Sequence, residues 1–252
     1  MLELYNAAHS TCSQKVRICL HEKGLDWTDH LLDLGAMDQI APDYLALNPN
    51  GVVPTLVHDG AVIIDSSAIC EYIDEVFPEP ALSPADPVAR AKMRAWMRYL
   101  EEVPTAAVRV PSFNMAFLPR FDGLDDETFL AEQAGPRPIR KHFFEKMGRL
   151  GFDPDTVRES MEQLRQTAER MSEAMEKDGG PWLMGEQFTL ADIVVAPMLD
   201  RMNDLGYAEL WSDLPNVVDW YARIRERPSF QKTFYENSRV SEFLKLTPLK
   251  AG

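Results

Sequence analysis

Hydrophobic and polar residues change period several times along the chain. Leu2 and Leu4 alternate with Glu3 and lead into Tyr5, the two-residue period of a short strand. From Ser13 the spacing becomes helical: Val16, Cys19 and Leu20 recur every three or four positions, and Gly24 supplies a stop. Residues 27–34 offer a second strand, and 37–47 a short helix or irregular turn. Two brief β-rich runs, 55–57 and 62–64, flank His58-Asp59-Gly60-Ala61, where Asp-Gly predicts a hairpin. Asp65-Ser66-Ser67 brings N-cap chemistry to a helix running through Ile69, Tyr72 and Ile73.

Prolines 78, 80, 84 and 87 then interrupt the pattern, as an extended linker would. Beyond them the period is helical. Met93, Trp96, Met97 and Leu100 form one stripe, and Pro104 and Pro111 disturb it. Residues 109–138 read as irregular and rich in Phe, Pro, Met and Arg. Asp153-Pro154 opens a long helix to about Lys177, which Asp178-Gly179-Gly180-Pro181 ends. Further helices are expected over 189–205, 215–227 and 229–237. The expected architecture is an α/β domain over 1–77, a linker over 78–87 and an all-α domain over 88–252.

Charge narrows the function. Lys and Arg total 26 against 40 Asp and Glu, a net charge of −14. Such a surface repels phosphate backbones and anionic bilayers, so neither nucleic acid nor membrane is an expected partner. Three cysteines, Cys12, Cys19 and Cys70, make no CxxC pair and fit a reducing cytoplasm. The N-terminus does not read as a signal peptide. The five histidines form no HxxxH or HExxH arrangement. GxGxxG, Walker and GxSxG motifs are missing, so no metal, nucleotide or serine-hydrolase site is expected.

Several motifs, in order, carry a resemblance over nearly the whole chain. They are Ser10-Thr11-Cys12-Ser13-Gln14-Lys15-Val16-Arg17, Asn48-Pro49-Asn50-Gly51-Val52-Val53-Pro54-Thr55-Leu56 and Asp65-Ser66-Ser67-Ala68-Ile69. Phe188-Thr189-Leu190-Ala191-Asp192 and Trp220-Tyr221-Ala222-Arg223-Ile224 follow in the second half. The sequence resembles the cytosolic glutathione transferases. That resemblance implies a thioredoxin-like βαβαββα domain followed by a helical bundle, and glutathione as co-substrate.

It also implies roles. Pro54 would be cis, turning the Val53 N–H and C=O toward the cysteinyl backbone of glutathione. Asp65 and Ser66 would take the γ-glutamyl ammonium and carboxylate; the family usually has Glu at the first of these. Gln39 lies where a contact to the glycyl end is often found. The thiol is activated near the first helix: lowering a thiol pKa of about 8.5 by two units takes about 2.7 kcal/mol. A hydroxyl donor beside a helix N-terminus can supply it. Ser10 aligns with the serine of the zeta, phi and tau classes, and Thr11 with that of the theta class. Cys12 aligns with the beta and omega cysteine, and Ser13 with a serine of the bacterial lignin β-etherases. Tyr5 lies too early to match the tyrosine of the mammalian classes and reads as a packing residue. Thr189 and Asp192 read as a capping box, and Trp220, Tyr221 and Ile224 as core.

The expected function is therefore a glutathione transferase, a cytoplasmic homodimer acting on a small hydrophobic or aromatic electrophile. Phe113, Met115, Phe117 and Arg120 are candidates to line the acceptor site, with packing between helices as their alternative role. The long segment between 103 and 155 and the tail after 237 resemble the β-etherase-related branch, which cleaves aryl ethers. Two rivals stay open: a thiol transferase using Cys12, and a non-catalytic binding module on the same fold.

Overall fold

The computed structural model of the chain describes residues 1–243, so positions 244–252 of the expected helical domain lie outside the described residues. The first half alternates β1 (Leu2–Asn6), α1 (Thr11–Glu22), β2 (Thr28–Leu31), α2 (Pro42–Leu47), β3 (Thr55–His58), β4 (Ala61–Ile64) and α3 (Ser66–Val76). The sheet order is β2-β1-β3-β4, with β1 parallel to β2 and antiparallel to β3. Asp59 and Gly60 turn the β3–β4 hairpin at φ of 49° and 84°, the left-handed values such a tight turn needs. Strand β2 is shorter than its hydrophobic run because it pairs on one side only and leaves Leu31 exposed. Helix α1 begins two residues earlier than its apolar period does. The Ser10 side chain caps it by accepting from the Ser13 N–H, which draws Thr11 and Cys12 into the first turn.

The second half is helical: α4 (Pro87–Glu102), α5 (Pro104–Ala107), α6 (Arg109–Ser112), α7 (Asp126–Phe129), α8 (Lys141–Met147), α9 (Pro154–Asp178), α10 (Leu190–Asp204), α11 (Pro215–Arg225), α12 (Pro228–Thr233) and α13 (Val240–Phe243). The stretch read as irregular is a stack of short turns, including π-type turns at Phe113–Phe117 and Leu130–Ala134. Prolines 104, 111, 119 and 136 keep any one turn from extending. These turns close over a cluster of their own, with Val110, Phe121, Phe129, Phe144, Met147 and Phe152 at its centre.

The main core is continuous through both halves. Leu4, Val16, Leu56 and Ile69 pack in the same cluster as Met93, Met97, Leu100, Leu164, Met171 and Val194. Even the proline-rich connection is pinned, because Leu82 is buried, its N–H donates to the Asp74 carboxylate and its carbonyl accepts the Leu190 N–H.

Helix α1 lies between the sheet side and the bundle, packed on α3, α10 and α12. Its charged residues are consequently buried and answered across the fold. Lys15 donates to Glu101 of α4 and, at 3.2 Å, to Thr105. Ser67 donates to the same Glu101 oxygen at 2.6 Å. Arg17 bonds Asn6 and the Ala8 and Thr233 carbonyls. Glu22 accepts a two-pronged bond from Arg227, with both N···O distances 2.7 Å. Lys23 bonds Asp74 and the Pro80 carbonyl. Burial alone would lower the Lys15 pKa, but the Cys12 thiol and the Glu101 carboxylate hold it above the ordinary lysine value.

At the other end of the bundle Thr189 and Asp192 form the expected capping box. Asp192 is fully buried. It accepts from the backbone N–H groups of Leu183 and Thr189, both at 3.0 Å, and from the Trp220 indole at 2.8 Å. Asp192→Ala orphans these donors at about 1–3 kcal/mol each. Its urea midpoint should fall well below the parent's, with Asp192→Asn between the two; a midpoint equal to the parent's removes Asp192 as a keystone.

Candidate functional site

A cleft of about 270 Å³ opens between the first half of the chain and the short turns of the second. One wall is the start of α1 with the loops before and after α2; the other is built from α6, α8 and the turns between them.

Ser10, Thr11 and Cys12 line the cleft together. The Ser10 oxygen accepts the Ser13 N–H at 3.3 Å, which leaves its own O–H to donate elsewhere. Among the described residues the Thr11 and Cys12 N–H groups have no acceptor, so the positive end of α1 faces this space. Cys12 is half-buried with a free thiol. Ser13 is separated from the other three: it is fully buried, and its hydroxyl oxygen accepts the Ala7 N–H at 3.2 Å.

Gln39 and Val53 reach the cleft from the opposite loops. The Val53–Pro54 bond is cis. Val53 lines the cleft, and neither its N–H nor its C=O has a hydrogen-bond partner among the described residues. Gln39 is buried with its Oε1 unpartnered among the described residues. Asp65 and Ser66 open α3 outside the cleft lining. Asp65, at φ 72°, spends Oδ1 on the Ser67 and Ala68 N–H groups, both at 3.0 Å, and its Oδ2 makes no bond among the described residues.

The far wall is aromatic. Phe113 packs against Phe117 and Phe143 with ring centroids 4.9 Å apart in each case, and against Phe144 at 5.6 Å. Of the acceptor-side candidates, Phe113, Phe117 and Arg120 line the cleft, whereas Met115 packs in the Ala116, Phe117, Leu205 and Val240 cluster. Tyr5 stacks on His30 at 4.3 Å in the sheet and stays out of the cleft.

Sequence reasoning passed over two features. His9, dismissed for want of a metal motif, lines the cleft beside Phe117. Burial, then the Arg201 and Arg120 charges, lower its pKa to about 4, so it is neutral at pH 7. The second is a set of five arginines, Arg109, Arg120, Arg137, Arg140 and Arg201, in a lining that holds no carboxylate among the described residues. Burial and the neighbouring Arg109 lower Arg140 to about 10; burial and Arg120 do the same to Arg137. Both stay protonated at neutral pH. Only the abundance of arginine in 109–140 hinted at this, since the turns that gather them have no simple period. Among the described residues no His, Cys, Asp and Glu side chains gather as a metal would need, and no helix is long and apolar enough to cross a membrane.

Comparison with known proteins agrees with this layout. The family model for the glutathione S-transferase N-terminal domain matches residues 9–76, and that for the C-terminal domain matches 154–223. Protein LigF of a Sphingobium species is 30% identical over 251 residues, covering 97% of this chain and 96% of that protein. The crystal structure of the same β-etherase superposes with a TM-score of 0.83 at 28% identity, over 92% of this chain and 98% of that one. A tetrachloro-p-hydroquinone reductive dehalogenase of Sphingobium chlorophenolicum is 28% identical over 91% of this chain and 94% of its own. A glutathione transferase homologue from Sulfitobacter, with bound glutathione, matches at a TM-score of 0.67 and 25% identity, over 91% of this chain and 95% of that one. The sheet order, the hydroxyl-rich start of α1 and these matches together place the chain in the glutathione S-transferase family.

Proposed function

We propose that the protein is a glutathione-dependent transferase acting on an aromatic electrophile. The observation that carries this reading is the convergence, in one cleft, of the α1 N-terminus, the unspent Val53 backbone pair and a phenylalanine wall. Glutathione lies along the first half of the chain. Its cysteinyl backbone pairs with Val53 as an added strand would, and Gln39 meets its glycyl end. Its γ-glutamyl ammonium meets the free Oδ2 of Asp65, and its carboxylate the Ser66 N–H at the start of α3. The sulfur then faces Ser10. The hydroxyl donates to the thiolate, while the α1 end adds a favourable field. The thiolate attacks an electrophilic carbon held against Phe113 and Phe117. Aryl ether cleavage, the chemistry of the LigF β-etherase, is one member of this reaction class. A cytoplasmic homodimer belongs to the same reading; light scattering at micromolar concentration should give twice the chain mass, and a monomer mass removes the dimer.

Cys12 supports a second reading, because its free thiol lines the same cleft. A thiol transferase would lose disulfide reduction in Cys12→Ser, whereas a Ser10 transferase keeps conjugation. Retention on glutathione-agarose without turnover of either kind would indicate a binding module.

Two variants test the assigned residues. Asp65→Ala with Ser66→Ala removes contacts worth about 1.5–3 kcal/mol each when charge-assisted. The Michaelis constant for glutathione should rise at least tenfold; an unchanged constant refutes the γ-glutamyl assignment. Ser10→Ala should raise the pKa of bound glutathione by about one to two units, because it removes the donor to the sulfur. His9 has already lost its proton above about pH 5. The parent's rate should therefore rise through a single ionisation between pH 5 and 9, and the Ser10→Ala curve should be displaced to higher pH. A curve that stays in place, with Thr11→Ala moving it, transfers the role to Thr11.

A further inference from the structure

Arginines are abundant in this chain, and nearly all of them are answered. Among the described residues each has a hydrogen-bond, ion-pair or aromatic partner except Arg109, Arg120 and Arg140. These three exceptions all line the cleft. The other two cleft arginines are held: Arg137 stacks on Phe144 at 4.2 Å and bonds Gln133, and Arg201 bonds Ser112 and the His9 carbonyl.

The three exceptions fall in two places. Arg120 lies over Gly35, where an added Cβ would stand 1.8 Å from its Nη2, on the loop leading to Gln39. In the proposed placement of glutathione this is the Gln39 side of the cleft, where the glycyl end lies. Arg109 and Arg140 sit on the helical side, on α6 and at the N-cap of α8, close enough to feel one another's charge. Arg140 also feels Cys12, and both arginines line the cleft that the start of α1 faces. Among the described residues Glu101 is a carboxylate that both feel, and it already accepts from Lys15 and Ser67 through Oε1. Holding two like charges half-buried side by side is costly unless an anion joins them. In the proposed placement glutathione directs its γ-glutamyl carboxylate to α3 and its glycyl end to Gln39, which leaves Arg109 and Arg140 for another anion.

We infer that Arg109 and Arg140 form an anion subsite for the acceptor, which is an aromatic compound carrying a carboxylate across its ring from the electrophilic carbon. Its ring lies on Phe113 and Phe143, and its carboxylate bridges the two guanidinium groups, a geometry suited to paired N–H donors. This inference rests on the transferase reading for its reaction, though not for the binding itself.

The test compares para-(bromomethyl)benzoate with its methyl ester. Sulfur forms a bond to the benzylic carbon as bromide leaves with the bonding pair, so both probes report the same step. With each kcat/KM divided by the uncatalysed rate, the carboxylate should exceed the ester by about tenfold or more. The ratio should collapse toward unity in Arg109→Gln with Arg140→Gln. Equal values in the parent, or a ratio the double variant leaves in place, overturns the inference. A second measurement needs neither turnover nor a variant. Calorimetry should show para-phenylbenzoate binding about tenfold more tightly than para-phenylbenzamide. If conjugation fails for both bromides but this preference holds, the anion subsite stands and the transferase reading falls. If conjugation proceeds and the two biphenyls bind alike, the transferase reading stands and the anion subsite falls.

Discussion

Everything in this molecule is arranged around a helix that has no solvent side to spare. Helix α1 packs against the sheet layer on one flank and the helical bundle on the other. Lys15, Arg17 and Lys23 are therefore charged groups in a dry environment, where an unanswered charge costs several kcal/mol. Each answer comes from a distant part of the chain: Glu101 and Thr105 for Lys15, Thr233 for Arg17, Asp74 for Lys23. Glu22 draws in Arg227 and Ser229. The charges that would penalise burial thus fix the angle between the two halves of the protein, because only one docking satisfies all of them.

That docking creates the cleft. Once α1 is clamped, its N-terminus is presented at a set height against α6 and the turns that follow. The Ser67–Glu101–Lys15 chain ties the start of α3 to the same clamp. Two helix starts, α1 and α3, are then held in a fixed relation, and both leave polar groups for an anionic peptide. The cis bond after Val53 adds an unpaired strand edge between them.

The electrostatics of the cleft run against those of the molecule. The chain carries a net charge of −14, yet among the described residues the cleft is lined by five guanidinium groups and no carboxylate. An acidic exterior repels stray polyanions, while a recessed positive lining concentrates field lines on a small anion that fits. The short turns of 109–147 make this possible. They carry their own phenylalanine cluster, so Arg109 and Arg140 project from a rigid base instead of a floppy loop. Widened π-type turns at 113–117 and 130–134 accommodate the bends.

Much of this was legible in the residues themselves. Two-residue alternation gave β1, Asp-Gly gave the hairpin, and Asp65, Asp153 and Thr189 gave helix starts, because these signals are local and each one's physics closes within a few residues. The motifs around Ser10, Val53 and Asp65 pointed to one family in the same way. Local signals could not rank Ser10, Thr11, Cys12 and Ser13. Adjacent positions on a helix differ in facing, and only the packed helix turns Ser13 inward to Ala7 while leaving the other three at the cleft. Nor could they separate Met115 from Phe113 and Phe117, since it is the folded π-type turn that leaves the two phenylalanines in the cleft lining and Met115 outside it. Nothing in the sequence of α1 reported that its charges would be buried, because a helix's own residues do not show that a second layer will cover it. The arginine pair is the clearest case. Arg109 and Arg140 are thirty-one positions apart, and their meeting depends on how several short turns stack, which is decided by tertiary packing alone.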